Sequence, residues 1–93
     1  MHKYEVLRRP VLTEKTDVMA ELNNQYVFEV DLRASKPEIR DAVQEIFDVE
    51  VEGVRTMVMP GKSRRWGRHT SRTPSWKKAV VTLVPGDRID LFE

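Results

Sequence analysis

The chain has 93 residues, of which 40% are hydrophobic and 33% are charged, and its formal net charge is only +1 at pH 7. This length predicts one domain over residues 1–93 with a modest core. Because the chain contains no cysteine, disulfides, thiolate metal sites and thiol catalysis are excluded. The sequence shows no apolar run of signal-peptide length and no stretch long enough to span a membrane, so we expect a soluble cytoplasmic protein without membrane contact.

The N-terminal third predicts a strand, a short helix and a second strand. Tyr4–Leu7 is a short apolar segment, and Pro10 marks a break or a sheet edge because proline cannot donate to a ladder. Thr13 is a favourable N-cap for a helix that Asn23-Asn24 ends. The apolar residues of this helix form a narrow stripe: Val18, Met19 and Leu22. Residues 25–33 then alternate, which predicts a strand with one buried face. That face consists of Tyr26, Phe28, Val30 and Leu32.

The middle of the chain predicts one well-defined helix. Ser35 and Glu38 have the spacing of a capping box, with a proline between them in the first turn, where it is tolerated. Apolar residues then recur at helical spacing: Ile39, Ala42, Val43, Ile46 and Phe47. This pattern predicts an amphipathic helix of about three turns with one buried stripe.

Two further strands enclose a long polar connection. In Val49–Met59 the alternation is interrupted at Gly53, which predicts a bulge that switches the inward face. Trp76–Val84 predicts the last strand. Its inward residues would be Ala79, Val81 and Leu83, and its outward residues Lys78, Val80 and Thr82. The tail 87–93 is placed to return as an edge strand. Together these elements predict an α+β fold in which the last two strands form an antiparallel hairpin.

Charge is strongly segregated along the chain. Eight of the 16 basic residues lie between Gly53 and Gly86, where no acidic residue occurs, and the other eight share the rest of the chain with all 15 acids. A uniformly solvated surface would mix its signs. This separation predicts a cationic arm on an acidic body, as expected of a protein with one face on a polyanion.

The cationic arm is the loop 60–78. Its cations are Lys62, Arg64, Arg65, Arg68, Arg72, Lys77 and Lys78, and its aromatic residues are Trp66, His69 and Trp76. Gly61, Gly67 and Pro74 interrupt any regular pattern, and the segment should repel itself without an anionic partner. Cations with interleaved rings suit nucleic acid, since they neutralise phosphates while the rings stack on bases. The alternative is a solvated loop that serves solubility, with both tryptophans in the core.

Catalysis and metal binding are poorly supported. His69 has no carboxylate nearby in sequence to orient it, and no nucleotide-binding, hydrolase or metal-ligand motif occurs. We therefore expect no catalytic residue, no metal site and no cofactor. Two alternatives to a structural RNA-binding protein stay open: a DNA-binding or regulatory protein that uses the same arm, and a small nuclease that uses His69.

Three longer segments of the sequence resemble a known family. They are RRPVLTEKT near the start, ASKPEIRDAVQEIFDVEVEGVRT in the middle and PGKSRRWGRHTSRTPSWKKAVVTL late in the chain. Their order and spacing are similar to those of bacterial large-subunit ribosomal protein L23. The resemblance implies a four-stranded antiparallel sheet with helices packed against it and one long basic hairpin loop that enters ribosomal RNA at the rim of the polypeptide exit tunnel.

The resemblance also implies binding sites and partners. The RNA-contacting loop of the family corresponds to Lys62–Lys78, and Ser75–Ala79 is its best match. The family's docking site for the chaperone trigger factor corresponds to Thr13, Glu14 and Lys15, a polar turn that the residues alone do not single out strongly. The same surface serves the signal recognition particle, and ribosomal protein L29 is an implied neighbour. The tail after Asp87 receives no role.

Overall fold

The computed structural model describes residues 3–61, 63–66, 69–72 and 75–90. In chain order the elements are α1 (Lys3–Val6), β1 (Leu7–Pro10), α2 (Glu14–Asn23), β2 (Gln25–Val30), α3 (Lys36–Phe47), β3 (Val51–Met59), β4 (Ser63–Trp66), β5 (His69–Arg72) and β6 (Trp76–Leu83). Each helix within these residues is too short or too polar to cross a membrane.

Four strands form one antiparallel sheet in the order β1-β2-β6-β3. The last strand, β6, therefore lies in the middle of the sheet, between β2 and β3. The predicted α+β fold and the antiparallel pairing of the last two long strands are confirmed. The strand order itself depends on pairing between distant segments, which local sequence patterns do not encode.

The core lies on one side of this sheet. Phe28 of β2 and Val81 of β6 are both at most 1% exposed, and Ile39 and Val43 of α3 are fully buried. The Phe28 ring packs on Phe47 with centroids 5.7 Å apart. The apolar stripe of α3 thus covers the sheet, as its spacing predicts.

The start of α3 is held by the predicted capping box. The Ser35 hydroxyl accepts from the Glu38 backbone N–H at 3.4 Å, and the Ser35 backbone N–H donates to Glu38 Oε1 at 3.2 Å. The Ser35 backbone N–H, followed by the Ser35 hydroxyl, which donates to Glu38 Oε1 at 3.0 Å, lowers the pKa of Glu38. The helix ends at Asp48, which takes the left-handed conformation with φ 53°.

A bulge at Gly53 is also confirmed. The pairing of β3 with β6 shifts register between Val51 and Gly53. Because of this extra residue, both Val51 and Val54 point to the core even though they are three positions apart.

The N-terminal strand was predicted one turn too early. Tyr4 belongs to the helical turn α1, and the strand covers Leu7–Pro10 instead. Val6, in that turn, is 1% exposed and contributes to the core. Pro10 pairs with Phe28 at the free edge of the sheet, where its missing N–H leaves no gap in the ladder.

Three apolar side chains are more exposed, and one is more buried, than the sequence pattern suggests. Leu32 is 51% exposed because β2 ends at Val30, before the turn that leads to α3. Val80 lies on the outer side of the sheet, as alternation predicts, but at the centre of the sheet it is only 3% exposed. In α2, Val18 and Leu22 are 51% and 75% exposed, so its apolar stripe faces outward.

The tail forms no edge strand over the described residues 87–90. Ile89 instead packs into the core cluster, 6% exposed. The predicted contribution of residues 91–93 lies outside the described part of the chain.

A buried carboxylate joins the sheet edge to the turn before α3. Asp31 is 7% exposed, and its Oδ1 accepts from the Arg33 backbone N–H at 2.8 Å and from Arg33 Nε at 3.2 Å. Arg8 of β1 donates to Oδ2 at 3.4 Å. The backbone N–H of Arg33, followed by its guanidinium, lowers the pKa of Asp31 from 3.8 to about 2.

This cluster predicts a specific acid sensitivity. A carboxyl group with a lowered pKa stabilises the fold above its unfolded value near 3.8, and that stabilisation is lost as the pH falls through about 2. We expect the free energy of unfolding, measured with urea between pH 5 and pH 2, to fall less steeply in Asp31→Asn than in the wild type. Asp41→Asn removes an exposed carboxylate of α3 as a control. Identical slopes for the wild type and Asp31→Asn would contradict this role.

Candidate nucleic-acid interface

The cationic arm contains a second, two-stranded sheet. β4 and β5 pair antiparallel, with Ser63 opposite Arg72, Arg64 opposite Ser71, Arg65 opposite Thr70 and Trp66 opposite His69. The ribbon extends the β3–β6 hairpin, whose last pair is Met59 and Trp76. At its base the Gly61 N–H donates to Ser75 Oγ at 3.3 Å. We refer to β4 and β5 together as the ribbon.

Regular pairing replaces the irregular loop expected from the sequence. In the observed register each of Arg64, Arg65 and Arg72 lies across from an uncharged residue. Since like charges directly opposite each other destabilise a strand pair, this register reduces the repulsion that the composition suggests. The same register places two aromatic residues, Trp66 and His69, across from each other at the end of the ribbon.

The ten predicted RNA-binding residues fall into three groups. Lys62 and Arg68 lie outside the described residues. Five belong to the strand backbone of the ribbon: Arg64, Arg65, Trp66, His69 and Arg72. The last three, Trp76, Lys77 and Lys78, begin β6 at the base of the ribbon and are half-buried. The assignment of all ten to RNA stays a prediction.

Neighbouring lysines of β6 lie on opposite sides of the sheet. Lys77 is on the core side, where its Nζ donates to the Ala34 carbonyl at 2.5 Å. Lys78 pairs with Met57 and Glu29 on the other side. Strand alternation therefore lets Lys77 connect β6 to the turn before α3, while Lys78 lies between Glu29 and Met57 on the other side. The outward position of Lys78 follows from alternation, whereas the contact of Lys77 with Ala34 appears only in the tertiary structure.

The second predicted site is the turn that starts α2. Thr13 is the N-cap: its hydroxyl accepts from the Thr16 N–H at 3.2 Å, and its own N–H donates to Thr16 Oγ1 at 2.8 Å. Thr13, Glu14 and Lys15 are all exposed. Glu14 begins a row at i, i+4 and i+8 that continues with the exposed Val18 and Leu22. An acidic residue thus heads an exposed apolar row.

Two basic residues outside the predicted sites have partners within the body. Arg9 Nε donates to Glu29 at 3.1 Å, and Arg8 contacts Asp31. Among the described residues, no three histidine, aspartate or glutamate side chains are grouped so that they could hold a metal ion. The ribbon backbone thus carries a dense set of arginines, and guanidinium groups are donors that bind polyanions.

The fold and the ribbon define a small α+β protein whose sheet continues into a cationic β-ribbon. Comparison with known families gives a match to ribosomal protein L23 over residues 5–91. Large ribosomal subunit protein uL23 of Desulfatibacillum aliphaticivorans is 50% identical over all 93 residues and 98% of its own length. The uL23 protein of Roseiflexus sp. strain RS-1 has the same identity and coverage. That of Thermosynechococcus vestitus is 49% identical over 95% of this chain and 87% of its own.

The chain belongs to the ribosomal protein L23 family. The match covers both the sheet and the ribbon, so it concerns the whole described fold. The family resemblance predicted from the three sequence segments is confirmed.

Proposed function

We propose that this protein is a non-enzymatic structural component of the large ribosomal subunit and binds the RNA of that subunit through the ribbon. The observation that carries this proposal is the ribbon itself: an extension of the sheet whose sequence surroundings, from Gly53 to Gly86, contain eight cations and no acid. Membership of the ribosomal protein L23 family supplies the context.

The proposed contacts are of two kinds. Cations neutralise phosphates, with guanidinium groups making paired hydrogen bonds to phosphate oxygens. These cations are Lys62, Arg64, Arg65, Arg68, Arg72, Lys77 and Lys78. The aromatic residues Trp66, His69 and Trp76 stack on unpaired bases or wedge between them. Lys77 Nζ already donates to Ala34, so we expect its phosphate contact to be secondary.

The family resemblance extends the proposal to the surroundings on the ribosome. We infer a position at the rim of the polypeptide exit tunnel in the cytoplasm, beside ribosomal protein L29. The turn of Thr13, Glu14 and Lys15 would dock trigger factor, and the same surface would serve the signal recognition particle. The exposed row of Glu14, Val18 and Leu22 supports a protein contact here, since exposed apolar residues next to a charge suit a docking surface.

Salt dependence tests the RNA proposal. If about six phosphates are engaged, log K for large-subunit ribosomal RNA against log of salt concentration should have a slope of roughly −4 to −5. Filter binding of the full chain between 50 and 300 mM salt measures it. A slope near −1 would contradict the ribbon as the main contact. In cells, the protein should cosediment with large subunits and crosslink to their RNA through residues 62–78, whereas crosslinks to duplex DNA would favour the alternative.

Glu14→Ala tests the docking site separately. An exposed ion pair contributes up to about 1 kcal/mol, so we expect trigger factor to bind ribosomes about two- to fivefold more weakly. RNA binding and incorporation into the subunit should not change. Glu52→Ala removes an exposed carboxylate from β3 and provides the matched control. Unchanged recruitment of trigger factor by Glu14→Ala would refute this docking site.

A further inference from the structure

Five residues of β3 and β6 share the sheet face that points away from the core. Directly paired residues of antiparallel strands project to the same side. Val54 and Val81 pair on the core side, as do Thr56 and Ala79. The alternate pairs are Arg55 with Val80, Met57 with Lys78, and Met59 with Trp76. We call Arg55, Met57, Met59, Trp76 and Lys78 the back face.

The helices α2 and α3 cover the opposite side of the sheet. Ala20 of α2 and Ile39 of α3 both pack into the core cluster, on the opposite side. At the centre of the sheet, Val27 and Val80 lie outside that cluster, yet they are only 2% and 3% exposed. The two valines at the middle of the back side are therefore shielded from solvent. Arg55 and Met57 at its margin are exposed, and 41% of Met57 is accessible.

On the back side, the charged residues of β3 and β6 between Gly53 and the ribbon are all positive. The strand register places Arg9, Arg55 and Lys78 there together with Glu29, and the bulge beside Gly53 adds Glu52 at the end of β3 away from the ribbon. Glu29 already accepts from Arg9 Nε at 3.1 Å. Within the described residues the Arg55 guanidinium has no hydrogen-bond or ion-pair partner. Two cations, Arg55 and Lys78, therefore remain to attract an anionic partner.

The back face is continuous with the ribbon. β3 leads into the ribbon after Met59, and the chain returns from it at Trp76. Arg55 lies four residues from Met59, roughly 13 Å along an extended strand. A polyanion that follows the ribbon to its base would therefore reach Trp76 first, then Lys78 and finally Arg55.

We infer that the back face is a second RNA-contacting surface, which extends the ribbon contact onto the body of the protein. Arg55 and Lys78 bind phosphates of the same RNA, and Trp76 with Met57 and Met59 packs against a sugar or an unstacked base. This inference rests on the proposed function of the ribbon. An apolar partner protein would suit the two methionines but would leave Arg55 and Lys78 without anions, so RNA is the occupant that matches the charge.

Arg55→Gln tests the surface in the full-length protein. With deproteinised large-subunit RNA as the probe, we expect about tenfold weaker binding and a salt slope that is flatter by about one unit. Arg40→Gln removes an exposed arginine from α3, on the other side of the sheet, and should leave both values unchanged. Equal behaviour of the two variants would overturn the inference. Thermal unfolding of both variants verifies that the fold is intact.

A photocrosslinker at position 57 identifies the occupant directly. Replacement of Met57 by p-benzoylphenylalanine, followed by irradiation of assembled large subunits, should yield crosslinks to RNA, and the same group at position 40 should not. Crosslinks from position 57 to a protein alone would overturn the inference.

Failure of the ribbon proposal has a different signature. The wild type would then show a slope near −1, and removal of Arg64 and Arg65 would have no effect. If only the back-face inference fails, removal of Arg64 and Arg65 still weakens binding, while Arg55→Gln matches Arg40→Gln.

Discussion

The double variant Arg64→Ala/Arg65→Ala is expected to bind large-subunit ribosomal RNA about 100-fold more weakly than the wild type. Hydrogen bonds to charged groups contribute about 1.5 kcal/mol each at the lower end of their range, which is roughly tenfold in affinity per contact. The salt slope should flatten by about two units, one for each lost phosphate contact. Filter binding at several salt concentrations measures both effects.

A charge-matched control distinguishes the effect of the ribbon contacts on RNA binding from the effect of the total charge. Arg40→Ala/Arg88→Ala also removes two exposed cations, but from α3 and the C-terminal segment. Long-range attraction depends on the total charge, so this control should lose only a small part of the affinity. If both double variants lose affinity and slope equally, binding depends on total charge, and the ribbon is not the contact.

Phe28→Ala is expected to have the largest effect on stability. The side chain is 1% exposed at the centre of the core, and its ring lies 5.7 Å from that of Phe47. Truncation of a buried phenylalanine removes its burial and leaves a cavity, at a cost of about 3–5 kcal/mol. Since a small domain has a free energy of unfolding of about 5–15 kcal/mol, much of the margin would be lost. Urea unfolding followed by circular dichroism measures the change.

Leu22→Ala is the control for this loss. Leu22 is also a large apolar residue, but it is 75% exposed on α2. Its removal should change the free energy of unfolding by no more than about 0.5 kcal/mol. A cost for Phe28→Ala below about 1 kcal/mol would mean that the core around Phe28 relaxes fully or does not support the sheet.

Features that depend on residues close together in the chain were predictable. The start of α3 follows from Ser35 and Glu38, three residues apart, and its buried stripe follows from helical spacing. The bulge at Gly53 follows from a break in alternation. The charge segregation that points to RNA is likewise a property of the printed sequence. For the capping box, the apolar stripe and the bulge, the physical cause acts between residues close together in the chain, whereas the charge segregation is a matter of composition.

Positions that depend on distant pairing were not predictable. β6 lies between β2 and β3, so the side chains next to its own on each face of the sheet belong to strands far away in sequence. Val80 is buried for this reason. Alternation predicts the outward position of Lys78, but the contact of Lys77 with Ala34 on the core side joins segments far apart in the sequence. Arg55 shares that face only because of the register of β3 with β6.

The long helix and the cationic arm follow from the amino-acid sequence, because they depend on composition and on contacts between near neighbours, and the family follows from the resemblance of three segments. Which cations share a surface, and the pairing of the arm as a ribbon, depend on contacts that form only in the folded protein. The same holds for the exposure of the apolar row of α2, as Val18 and Leu22 show. The physical reason is that a strand's side chains alternate between two faces, and the identity of each face depends on the strands with which it pairs.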